Sequence, residues 1–114
     1  MTRVYLPTTL EELAVFVAAG EVPASVDRYV AQDESEDSEY DALAAAAEDS
    51  AEMLAGPGRR VVVVAEVADP DAAFALDRVV AVHADDEVVA PDARDLPDLG
   101  WYATQEIGAL LASR

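Results

Sequence analysis

The chain has 114 residues, with 24 acidic against 7 basic side chains, a formal net charge of −17, 53% hydrophobic residues, one histidine and no cysteine. A single domain of this length buries about 65% of its unfolded surface, enough for a core without metal or disulfide staples. The missing cysteines exclude disulfides, zinc-thiolate centres, iron–sulfur clusters and thiol nucleophiles, and the missing lysines exclude Schiff-base and P-loop lysine chemistry.

Arg3-Val4-Tyr5-Leu6 alternates and halts at Pro7, which predicts a first strand ended by the missing N–H. Thr8 and Thr9 each stand three residues before a glutamate, Glu11 and Glu12, at capping-box spacing. Leu10, Leu13, Ala14, Val17 and Ala18 follow as one apolar helical stripe with Gly20 as its stop. Alternation over Val26 to Ala31 predicts a short second strand.

Six of the nine residues from Asp33 to Asp41 are carboxylates, and no basic residue lies between Tyr29 and Gly58. The run leads into a helix with Ser38 as its expected N-cap, where negative charge meets the positive end of the helix dipole. Tyr40, Leu43, Ala47, Ala51 and Leu54 trace its expected inner face, and Gly56-Pro57-Gly58 ends it. The valines of Arg59 to Val67 suit a central strand buried on both faces. Asp69-Pro70 predicts a short helix over Pro70 to Leu76. Arg78 to Ala84 then returns as a second central strand, antiparallel because the connection is short. The Asp85-Asp86-Glu87 turn precedes a weakly patterned segment to Pro97, then a strand at Leu99 to Ala103 and a helix capped by Thr104 with Ile107, Leu110 and Leu111 inward.

This order predicts one α+β domain over 1–114: a single layer of helices on a mixed or largely antiparallel sheet of four to five strands, with ferredoxin-like topology as one option. No stretch approaches the roughly 18 apolar residues of a membrane span, and the start lacks the apolar run of a signal peptide. A cytoplasmic protein is therefore expected. The negative charge repels phosphate backbones and anionic lipid, so neither nucleic acid nor membrane is an expected partner.

Candidate chemistry is sparse. His83 with Asp85, Asp86 and Glu87 offers an imidazole beside carboxylates, suited to a divalent metal or an oriented general base. The plainer alternative is a strand-end histidine satisfied by a carbonyl and followed by a wet acidic turn. Neither the calcium-loop pattern nor a second histidine or cysteine completes a metal site, and no cofactor motif is present. Arg59 and Arg60 after Gly56-Pro57-Gly58 could hold an anion, or could simply be strand residues facing water. Asp33, Glu34, Glu36, Asp37, Glu39 and Asp41 could dock a basic protein, mimic a phosphate backbone, or merely keep a helix start solvated. The favoured reading is a non-enzymatic interaction or regulatory module, with a small metal-dependent or acid/base enzyme centred on His83 as the alternative.

Arg3-Val4-Tyr5-Leu6-Pro7-x-Thr9-Leu10, Glu39-Tyr40-x-Ala42-Leu43, Arg59-Arg60-Val61-Val62-Val63, Ala81-Val82-His83-Ala84-Asp85-Asp86 and Leu99-Gly100-Trp101-Tyr102 together resemble a small uncharacterised actinobacterial family of acidic proteins. The resemblance spans nearly the whole chain, with the stretch from about Pro23 to Asp37 shortened. It implies a cytosolic domain from a GC-rich actinobacterium, in keeping with a composition rich in Ala, Val, Asp and Arg, and it brings no activity and no functional residues.

Overall fold

Alternation in the valine strands decides the architecture. A computed structural model describes residues 1–114. Strand β1 (Thr2–Thr8) is followed by helix α1 (Leu10–Ala19), short strands β2 (Glu21–Val22) and β3 (Tyr29–Val30), and helix α2 (Glu36–Met53). Then come β4 (Val61–Val67), β5 (Phe74–Ala75), β6 (Val79–Ala84), β7 (Gly100–Tyr102) and helix α3 (Ile107–Ala112). The main sheet has the order β3-β1-β4-β6-β7, and β2 pairs with β5 in a separate two-stranded sheet. All neighbouring pairs are antiparallel, so the class is α+β as expected. The five-stranded order does not confirm the ferredoxin-like option.

Six of the seven residues of β4 are buried, because successive side chains enter different cores. Val61, Val63, Ala65 and Val67 join Val4, Leu6, Leu10, Leu13, Phe16, Ile107 and Leu110 on one side. Val62 and Val64 join Tyr5, Ala42, Ala46 and Ala47 on the other. The helices therefore do not form the expected single layer: α1 and α3 cover one face and α2 the opposite one. No helix is long and apolar enough to cross a membrane.

Several local expectations shift for identifiable reasons. β1 runs through Pro7 to Thr8; β3 reaches only Val4 and Tyr5, so the outer side of β1 has no ladder bond to lose at the proline. Thr9 caps α1 by accepting from the Glu12 N–H, and Gly20 closes it at φ 74°. The inner stripe of α1 is Leu10, Leu13 and Phe16 rather than the one through Val17, since the large Phe16 ring claims the core. Val26 to Ala31 contributes only the two residues of β3. No α-helix forms over Pro70 to Leu76: Asp69 accepts from the Asp71 N–H in a local turn, and Phe74 is drawn into the core as part of β5. The last helix is preceded by a 3-10 turn (Thr104–Glu106), closed by Glu106 accepting from the Ala103 N–H rather than by Thr104.

Candidate functional site

Two features dominate the α2 side: an acidic helix start, and a groove along the flank of α2.

Ser35, not Ser38, caps α2, accepting from the Ser38 N–H at 3.2 Å. Asp33 in turn accepts from the Ser35 N–H at 2.8 Å, and hydrogen bonds from Ser35, with help from Ser38, hold its carboxyl below the ordinary range. Glu36, Asp37 and Glu39 thereby fall in the first turn, where the dipole favours them. Arg3 donates to Glu39 at 2.8 Å and to Glu66 at 2.9 Å, and the Glu66 bond leads in raising its pKa. Asp33, Glu34, Glu39 and Glu66 border a depression of about 360 Å³ around this arginine. Glu34, Glu36, Asp37 and Asp41 are exposed and form no ion pair within the molecule.

The helix packs on the sheet through Ala42, Ala46, Ala47 and Ser50. Alanines let its axis lie close to the strands, and Ser50 ties it down by donating to the Thr8 carbonyl at 2.7 Å and accepting from the Val61 N–H at 2.8 Å. The face expected to point inward is displaced. Tyr40 is 66% exposed, and Tyr40, Leu43, Ala47, Ala51 and Leu54 form one wall of a groove of about 910 Å³. The facing wall is the irregular segment from Pro91 to Leu99.

At the end of the groove lies a buried ion pair that sequence analysis split between two unrelated candidates. Asp85 is 1% exposed and Arg60 7%. Arg60 donates to Asp85 through its backbone N–H at 2.8 Å, Nε at 2.9 Å and Nη2 at 2.7 Å, and Nη2 also donates to the Pro97 carbonyl at 2.7 Å. This is the two-pronged geometry in which guanidinium and carboxylate bind best. Arg59 donates to the Asp85 carbonyl and to Ser113 Oγ. Both arginines are thus engaged inside the protein, Arg60 opposite a full countercharge.

The structure does not assemble the residues of the His83 proposal. His83 is half-buried on β6, paired in register with Val62 on one side and Trp101 on the other, and burial lowers its pKa. Asp85 is committed to Arg60, Asp86 accepts from the Tyr102 hydroxyl, and Glu87 is exposed. No three His, Asp or Glu side chains converge as a metal site. Sequence reading missed Arg60–Asp85 as a pair, although a signal exists: antiparallel pairing of Val61 with Ala84 puts the next residues outward, Arg60 and Asp85, opposite each other.

A sequence model of the DUF6912 family, a family of unknown function, matches residues 2–111. The chain belongs to that family. No curated protein and no solved structure matches it.

Proposed function

We propose that this DUF6912 member is a non-enzymatic, cytoplasmic interaction module whose acidic α2 start docks a basic surface of a partner protein. The observation that supports this reading is the set of exposed carboxylates at Glu34, Glu36, Asp37 and Asp41, which meet no cation in the molecule and are gathered about the capped start of α2. Like charges kept together cost self-repulsion that an opposite surface relieves on contact. The same field disfavours phosphate backbones and anionic lipid, which leaves basic protein surface as the matching class.

An oligo-arginine peptide is the simplest probe, titrated by fluorescence at two salt concentrations. Neutralising the four carboxylates together (Glu34→Gln, Glu36→Gln, Asp37→Asn, Asp41→Asn) is expected to weaken binding at least about fivefold, and raised salt to weaken it further. Neutralising four exposed acids elsewhere, Glu11, Glu21, Glu87 and Asp95, changes net charge equally. Equal losses in the two variants would refute a localised docking surface.

A further inference from the structure

We propose that the groove between α2 and the Pro91–Leu99 segment seats a short basic, amphipathic segment of a partner protein. This deepens the docking reading above and rests on it, since groove and acidic turn share one helix.

Shape points to a polypeptide. From Tyr40 to Leu54 the helical wall runs about 21 Å, a length that fits about 14 residues of helix or six of extended chain. The volume of about 910 Å³ is at the upper end for compact small-molecule sites, and an elongated trough of that size suits a chain better. Leu43, Ala47 and Ala51 on the helix, with Leu54 at its end, face Leu96 and Leu99 on the loop, which gives an apolar floor at the i, i+4, i+8 and i+11 spacing that receives an amphipathic ligand.

Charge selects the partner. Glu48 and Glu52 rise from the helix side, and Asp92 and Asp98 from the loop side, all exposed; they outnumber the one exposed cation of the lining, Arg94, four to one. Four carboxylates around an apolar floor complement lysine or arginine flanking apolar residues. A second copy of this chain carries the same net charge of −17 and is repelled.

Arg60 supplies the polar anchor. Its side chain is 9% exposed and it lines the groove. Nε and Nη2 are engaged with Asp85 and Pro97, whereas Nη1 has no partner in the protein and is not sealed from solvent. With Asp85 neutralising the guanidinium and four acids nearby, an anion is disfavoured at this nitrogen; a neutral backbone carbonyl of the bound segment is the fitting acceptor.

The test uses the isotope-labelled full chain and a synthetic peptide of about 14 residues, with leucine and lysine at helical amphipathic spacing, against the same peptide carrying glutamate for lysine. Amide shift changes are expected along 43–54 and 91–99 with the lysine peptide and none with the glutamate one. Ala51→Trp, which fills the groove, is expected to weaken binding about tenfold, and the exposed pair Glu48→Gln with Glu52→Gln about threefold without disturbing the fold. Absence of lysine-peptide binding at low salt, or binding unchanged by Ala51→Trp and by the glutamine pair, overturns the groove. If the variant neutralised at Glu34, Glu36, Asp37 and Asp41 binds like the parent while Ala51→Trp does not, the groove stands and the docking role of the acidic turn falls. If the reverse holds, the turn stands and the groove falls.

Discussion

Asp85→Asn removes the countercharge of an arginine that is only 7% exposed. In the native protein three donors of Arg60 converge on the Asp85 carboxylate, which is 1% exposed. Asparagine keeps one acceptor oxygen for the Arg60 N–H but leaves the guanidinium without neutralisation, and breaking a buried pair in this way costs about 3–5 kcal/mol. A domain of this size has a total stability of about 6–17 kcal/mol, so a third or more of it disappears at the middle of those ranges. With a urea slope of about 1.5 kcal/mol per molar, the unfolding midpoint is expected to fall by about 2–3 M, and Tm by about 12 °C or more. Circular dichroism during urea and thermal unfolding reads both. Salt should not restore the loss, because a dry pair is screened far less than the half-exposed Arg3 bridges. Replacing both partners, Arg60→Met with Asp85→Leu, is expected to lie closer to the parent than Asp85→Asn alone. A midpoint shift below about 0.5 M for Asp85→Asn would refute the view that Asp85 neutralises a buried charge.

Ser50→Ala removes the hydroxyl that serves both the Thr8 carbonyl and the Val61 N–H in the buried interior; a loss of about 2–4 kcal/mol in urea unfolding is expected. His83 is the one imidazole, and burial lowers its pKa, so its proton NMR titration should have a midpoint below about 6.5. Because the unfolded chain takes up that proton first, the contribution of His83 to stability is complete above about pH 6.5 and declines as pH falls towards the lowered native value; His83→Gln should remove that slope, and an unchanged slope would refute it. Gly20→Ala places a side chain at φ 74° and should cost about 1 kcal/mol in Tm-derived stability, although nothing lies within 4 Å of the added carbon.

The sequence made the central strands legible because burial on both faces leaves an uninterrupted apolar run, and β4 occupies the middle of the sheet as its valines demand. Caps were legible to within a turn. Thr9 was readable from Glu12, whereas Ser35 and Ser38 are equally good chemically, and only the Asp33 turn selects Ser35. The inner face of α2 was misread because periodicity follows large side chains. Here the close approach to the sheet requires alanine and serine inside, so Tyr40 and Leu54 are turned to the flank. The failed helix at Pro70 to Leu76 is a tertiary override: local start signals lose to the burial of Phe74, whose ring also carries the Arg28 guanidinium 5.4 Å from its centroid. Of the candidate sites, the exposed acids of the 33–41 turn were legible by composition. The Arg60–Asp85 pair was missed, because its members are separated by 25 residues and face each other only once the register of β4 on β6 is fixed.

That pair also connects stability to the groove. The Pro91–Leu99 wall has no regular secondary structure, and Arg60 Nη2 holds it at the Pro97 carbonyl, beside the packing of Leu99 on the α2-side core. Gly58 pairs with Val89 just before this wall and fixes where the segment leaves the sheet. A buried ion pair is rarely the most stabilising choice for its volume, since apolar residues fill such space without desolvating charge. Apolar replacements could fill the interior beside β4 but would offer no donor to Pro97 and none to a ligand. Guanidinium and carboxylate at this spot are therefore explained by position rather than energy: one planar donor, gripped by Asp85 through Nε and Nη2, holds the loop at Pro97 with the same Nη2.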